Sequence, residues 1–331
     1  MKDNTNSPQQ LSLFETTPTF IERLAKVTWS YSKRSVLIQC PRKYYYEYYG
    51  ANKRTAKNEP LKGQLHFLKK LQNRYERTGA LLHLMISQYL KKARAGDVLT
   101  FERLRPWVSD IYQKDINFSA EYHDEVVVPD HINAPILMHE FYYKQRDANT
   151  VCVDAGTRMI DGLRIFFESK IFGQFRFYGA NDEACIEQSI NIPSIPCKVD
   201  GKLDLAYQNG DYVYVVDWKS GEHDGSGNDS LQLAVYAIWA KEHFGCSTEQ
   251  IRIYKAYLGS DELVEFPIDD QTLRNAWTRI VQDAEHMISV SEYGEDGIAE
   301  AFTPCGHAGV CALCSYRQVC PGKGEDINDR D

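Results

Sequence analysis

The strongest pattern in the chain is an alternation of apolar and polar positions between residues 185 and 219. Two runs, CKVDGKLDLAYQ (197–208) and DYVYVVDWK (211–219), flank Asn209-Gly210, a favoured centre for a two-residue hairpin turn. Helical spacing follows from about Asp229 to Phe244, with Asp229 or Ser230 as the cap. Two further strands are predicted, QIRIYKAYL and ELVEFPI, then an amphipathic helix over roughly 270–290. Upstream, residues 62–94 repeat with helical spacing, and Gly79 opens the run GALLHLMISQYL. Residues 96–180 read as mostly helical, and Pro41 suits the first turn of a helix beginning after Cys40. Residues 1–20 are polar, contain Pro8 and Pro18, and read as a disordered tail. Together these elements predict an α/β class.

Composition narrows this. The 331 residues suffice for two ordinary domains or for one α/β domain with large insertions. No run approaches the roughly 20 apolar residues that span a bilayer. The start, MKDNTNSPQQ, lacks the apolar core of a signal peptide, so no membrane contact and a cytoplasmic location are expected. The net charge of −8 is lopsided, because the last eight residues carry four acids and one Arg while basic residues gather between Lys33 and Arg94. It therefore does not exclude nucleic acid as a partner. Of nine cysteines, four fall in CGHAGVCALCSYRQVC (305–320), a density that reads as metal binding in a reducing compartment. Cys152, Cys185, Cys197 and Cys246 are isolated and read as core thiols.

The hairpin carries candidate chemistry. With Asn209-Gly210 as the turn, Asp204 faces Val215 and Lys202 faces Asp217. Asp204 and Asp217 then become diagonal neighbours about 7–8 Å apart at Cα. Asp204, Asp217 and Lys219 project from one face, and Asp200 on that face is a rival for the Asp204 position. Val199, Leu203, Leu205, Tyr212, Tyr214 and Val216 form the apolar face opposite. Two close carboxylates repel unless a positive group intervenes, and a divalent cation suits such hard oxygen ligands. A solvated strand face with Lys219 paired to a carboxylate fits the hairpin equally well.

The motifs in order are GALLH (79–83), GKLD (201–204), VDWKSG (216–221) and QLAVY (232–236). This series resembles the RecB-like branch of the PD-(D/E)xK nucleases across roughly Ser30 to Cys320. The resemblance implies a restriction-endonuclease-like core, a mixed central sheet flanked by helices, with helical insertions. It also implies that His83, Asp204 and Asp217 ligate Mg²⁺ or Mn²⁺ and that Lys219 is the catalytic lysine. Gln232 and Tyr236 would stand on a helix behind the site, supporting it or touching DNA. The family often has Glu where this chain has Asp217. The implied reaction is hydrolysis of DNA phosphodiesters, exonucleolytic on single strands or ends, in repair, recombination or defence. The alternatives are a catalytically silent DNA-binding subunit of a helicase–nuclease complex and a zinc-stabilised interaction module.

Cys311, Cys314 and Cys320 form C-x₂-C-x₅-C, three thiolates that suit iron–sulfur or zinc. Iron–sulfur members of the same branch, among them AddB, exonuclease V and CRISPR-associated RecB-like exonucleases, take a fourth thiolate from an upstream C-P motif. Cys40-Pro41 resembles it, which implies a 4Fe–4S cluster joining the two ends of the chain. Local zinc with Cys305 or His307 as fourth ligand is the rival. Arg34, Arg42 and Lys43 beside Tyr44, Tyr45, Tyr46, Tyr48 and Tyr49 suit single-stranded DNA, the tyrosines being divided between stacking and core. Gln10-Leu11-Ser12-Leu13-Phe14 resembles the bacterial sliding-clamp motif QL[SD]LF. The expected organisation is a tail (1–20) and a single nuclease domain (21–323), then an acidic tail (324–331). Within the domain come a helical part (about 60–180), a catalytic core (about 185–268) and the cysteine tail (305–320).

Overall fold

The computed structural model describes residues 19–52, 59–124, 128, 134–223, 225 and 230–322. The N-terminal part contributes α1 (Phe20–Leu24), β1 (Thr28–Trp29), α2 (Tyr31–Gln39) and α3 (Pro41–Tyr45), the last prolonged by a π-helical turn, Tyr46–Gly50. Next come α4 (Lys62–Leu68), α5 (Arg74–Arg94), α6 (Phe101–Ala120), α7 (His139–Tyr142), α8 (Ala148–Glu168) and α9 (Gly173–Gly179). The β region holds β2 (Cys185–Ser189), β3 (Lys198–Val199), β4 (Lys202–Asn209) and β5 (Tyr212–Lys219). It is followed by α10 (Ser230–Phe244), β6 (Ile251–Tyr257), β7 (Glu262–Phe266), α11 (Asp270–Glu295) and α12 (Ala308–Ala312).

The central sheet runs β2-β4-β5-β6-β7. Its pairings are antiparallel except β5–β6, which is parallel and joined through α10. A parallel pair needs such a crossover, and the helix it brings must lie on a face of the sheet. This is the mixed α/β core flanked by helices that the motif series implies. The hairpin itself differs from expectation by one step. Asn209 pairs with Tyr212, so the turn residues are Gly210 and Asp211. Gly210 has φ +59, whereas neither Asn209 nor Asp211 has positive φ. A turn with glycine at its first central position is of the II′ kind, which Asn209-Gly210 as the centre would not have satisfied.

Both faces of the sheet are covered. Val213, Val215, Ile251 and Ile253 pack into one core with Leu233–Ala240 of α10 and with Ile280 and Ala284 of α11. Leu205, Val216, Trp218 and Ala256 pack into the other with Leu82, Met85, Ile86 and Leu90 of α5 and with Leu163 and Phe166 of α8. The hairpin face expected to look away from the core is therefore roofed by α10 over most of its length. Burying each of the α5 side chains stabilises the contact by roughly 1.5–3 kcal/mol.

The helical periodicity over 62–94 is split into α4 and α5. Gln72, between them, forms a bridge with Met138, which a continuous helix would forbid. A capping box starts α5: Asn73 accepts from the Tyr75 and Glu76 N–H groups, and Glu76 accepts from the Asn73 N–H. Two ion pairs fix its first turns, Arg74–Glu140 at 2.9 Å and Arg77–Asp115 at 2.7 Å, with Glu140 and Asp115 buried. These anchor α5 to α7 and α6.

Candidate active site

The corrected register decides the geometry of the acids. Leu205 faces Val216, and one step further along the ladder Asp204 faces Asp217 directly instead of diagonally. On the other flank of β4, Ile186 faces Leu205 and Gln188 faces Leu203, which places Glu187 opposite Asp204. Glu187, Asp204 and Asp217 thus form one row across three adjacent strands. Directly opposed side chains stand about 4.5–5.5 Å apart at Cβ, closer than the diagonal spacing. Glu187 carries φ +52, a left-handed conformation inside a strand that costs a non-glycine residue about 1–3 kcal/mol. The strained residue sits where three carboxylates converge. No motif marks Glu187; its only signal is its place on the strand next to GKLD.

The surrounding groups hold this row. His83, one face of α5, places Nδ1 3.0 Å from Asp204 Oδ1. The Trp218 N–H donates to Asp204 Oδ2 at 2.8 Å. Lys219 Nζ lies 2.8 Å from Asp217 Oδ2, and Lys202 Nζ 2.7 Å from Glu187 Oε2. Asp217 is 3% exposed. Burial and the Asp204 charge push its pKa up to about 6, against the opposing pull of Lys219 and His83. Burial alone would lower the His83 pKa, but the Asp204 charge and hydrogen bond, reinforced by Asp217 and Glu187, push it up to about 9. Both shifts describe a site crowded with negative charge.

His83, Glu187 and Asp204 each offer a ligand atom, and these atoms lie within 4.8 Å of one another. Asp217 Oδ2 is buried against the Lys219 ammonium, whose charge and hydrogen bond it takes up. Hard oxygen donors beside an imidazole fit a divalent cation. Asp200 stands apart: it is exposed, and its backbone N–H donates to the Trp29 carbonyl beside the small β1–β3 pairing. The position next to His83 belongs to Asp204.

Gln232 and Tyr236 hold strand β4 in place. Gln232 Nε2 donates to the Tyr236 hydroxyl at 2.8 Å, and that hydroxyl donates to the Lys202 carbonyl at 2.9 Å, two residues before Asp204. Gly79 lies beside the residue after Lys219: a Cβ there would meet Ser220 Oγ at 3.6 Å, an ordinary contact.

Of the expected DNA contacts Arg34, Arg42 and Lys43, the structure engages Arg42 and Arg34 within the fold. Arg42 is 7% exposed, and its Nε donates to the Phe302 carbonyl at 2.7 Å. Arg34 Nε lies 2.8 Å from the buried Asp283 carboxylate. Lys43 is half-buried, and its charge acts on Cys314 and His139. Chain-end packing, which sequence spacing does not reveal, has claimed Arg34 and Arg42. Tyr44, Tyr45 and Tyr46 are buried too, with Tyr45 against Phe302 and Tyr46 against Tyr316.

These contacts bring the cysteines together. Cys40 caps α3 and its Sγ accepts from the Lys43 N–H at 3.4 Å. Cys305 neighbours the thiols of both Cys40 and Cys311. Cys314 and Cys311 feel the charges of Cys40 and Cys320. Burial raises the pKa of Cys311 and of Cys314 to about 11, so thiolates here need a positive partner. His307, the other zinc alternative, is exposed. Gln10–Phe14 and the Asp229 cap lie outside the described residues.

Comparison with known proteins closes the identification at the level of the class. The family model of the PD-(D/E)XK nuclease superfamily matches residues 28–321, and the chain belongs to that superfamily. Its members are generally nucleases that use divalent metals. No curated protein matches the chain. Among solved structures, that of SSO0001 is similar, with 18% sequence identity over 66% of this chain and 97% of SSO0001 at a TM-score of 0.31. No helix among the described residues is long and apolar enough to cross a membrane.

Proposed function

We propose that this chain is a deoxyribonuclease of the RecB-like branch, cleaving phosphodiesters exonucleolytically on single strands or DNA ends. The observation that carries the reading is the row Glu187–Asp204–Asp217, with His83 at one end and Lys219 at the other. His83, Glu187 and Asp204 would hold Mg²⁺ or Mn²⁺, with Asp217 adjoining. A bound cation supplies charge neutralisation for the phosphate and a more acidic water. Lys219, set against Asp217, has its ammonium where it can orient an attacking water or meet charge developing on the phosphate. Tyr236 and Gln232 keep β4, and hence Asp204, in register. Retention of the full Asp204, Asp217 and Lys219 set argues against the catalytically silent alternative. The test is cleavage of end-labelled single- and double-stranded DNA with Mg²⁺ or Mn²⁺, with Lys219→Ala as control. Metal-dependent products from the wild type alone support the reading, and an inactive wild type refutes it.

The same proposal includes a 4Fe–4S cluster on Cys40, Cys311, Cys314 and Cys320, supported by the packing of α3 against residues 302–319. Cys305, lying beside two of those thiols, is the specific reason to keep zinc as a second reading. Brown, iron-containing protein absorbing near 400 nm supports the cluster; colourless protein with one zinc supports the rival. We further propose a cytoplasmic protein whose Gln10–Phe14 segment docks on a bacterial sliding clamp and which works beside a helicase.

A further inference from the structure

A groove of 620 Å³ runs from the acid row along helix α5. One wall is the exposed face of α5, presenting His83, Leu84, Gln88 and Lys91, and the other includes Glu187 and Lys202. The cations around it are mostly committed: Lys202 pairs with Glu187, Arg77 with Asp115, and Lys92 with Asp97. Lys91 differs, because its ammonium has no ion pair or hydrogen bond among the described residues. The Gln88 amide, one turn earlier, also makes no hydrogen bond among them. Leu84 is 39% exposed between these polar groups and His83.

A cation, an amide and an exposed apolar side chain, in line with a phosphodiester-cleaving site, match the chemistry of one nucleic-acid strand. The ammonium suits a phosphate, the amide a phosphate or base edge, and the leucine the flat of a sugar or base. Lys91 lies eight residues after His83, about 12 Å along the axis, so the phosphate it meets is not the scissile one. We propose that α5 is the track on which a single DNA strand is held next to the acid row, with Lys91 gripping a phosphate beyond the cleaved bond. This rests on the nuclease reading above. Lys91 and Gln88 act here by positioning substrate and take no part in bond cleavage.

The test compares Lys91→Ala with Lys92→Ala, its exposed neighbour paired to Asp97, on two substrates. One is a 20-nucleotide single strand; the other is a minimal diester, thymidine 5′-(p-nitrophenyl) phosphate, too short to reach Lys91. Lys91→Ala should raise KM for the strand about five- to tenfold with kcat little changed, and leave the minimal diester unaffected. In EDTA, binding of a labelled strand by Lys91→Ala should show a salt slope shallower by about 0.7, the value for one lost phosphate contact. Lys92→Ala should change neither quantity. If wild type cleaves but the two variants behave alike on the strand and in salt, the track is wrong and the nuclease reading stands. If the strand binds with a Lys91-dependent salt slope but wild type cleaves neither substrate, the nuclease reading falls and the track survives.

Discussion

The acid row and the cysteine loop both crowd groups that repel when ionised, and they do so by opposite means. The row is built from adjacent positions on three paired strands, so its spacing follows from backbone ladders. The cysteine cluster is built from chain ends more than 250 residues apart, Cys40 and Cys305–Cys320. They are brought together by Arg42 on the Phe302 carbonyl and by Tyr45 and Tyr46 on Phe302 and Tyr316. A register can be reasoned from one turn; a packing of tyrosines between chain ends cannot. The first region should therefore fail in chemistry before stability, and the second in stability before chemistry.

The sharpest way to break that contrast is Asp204→Ala. It removes the carboxylate between His83 and the Trp218 N–H, and cleavage should fall at least about a thousandfold, on the scale of losing a main electrostatic stabiliser. The thermal midpoint should stay within a few degrees. Asp217→Asn should inactivate similarly yet raise the melting temperature of the metal-free protein, because a buried charge facing another is removed. A fall in that temperature would show that Asp217 is instead a structural partner of Lys219.

Cys40→Ala should do the reverse. It should lose bound metal and several kcal/mol of stability, since metal that binds only the folded chain contributes its binding energy to folding. Per folded molecule, cleavage should remain. Glu187→Gln should be milder than either aspartate change, weakening metal affinity about 10–100-fold on the scale of a ligand or its support. Unchanged Mn²⁺ affinity by titration calorimetry would remove Glu187 from the ligand set. Tyr236→Phe should be the mildest, since the Lys202 carbonyl loses one hydrogen bond worth about 1 kcal/mol. The expected activity loss is a few-fold, measured as kcat on the strand.

Legibility followed the same divide. Alternation sets Asp204, Asp217 and Lys219 on one hairpin face, whereas Gln232 and Tyr236 enter only through the resemblance of the motif series. The hairpin step was misread because Asn209-Gly210 is only a preference, and Gly210 took the first turn position instead. Glu187 was hidden because its contribution depends on a left-handed backbone that a glutamate does not advertise. Arg34 and Arg42 were misassigned because their anions and carbonyls, Asp283 and Phe302, come from the far end of the chain. The same long-range packing set the environment of Lys43.

The row Glu187–Asp204–Asp217 with Lys219 is proposed to hydrolyse DNA when a divalent cation is bound. The most direct test of that proposal is a time course of 5′-labelled single-stranded DNA with pure protein and Mn²⁺, run beside EDTA and beside Lys219→Ala. Stepwise or short products are expected with Mn²⁺, none with EDTA, and none from Lys219→Ala that still folds and binds the strand. Cleavage by Lys219→Ala at the wild-type rate, or by wild type in EDTA, would contradict it.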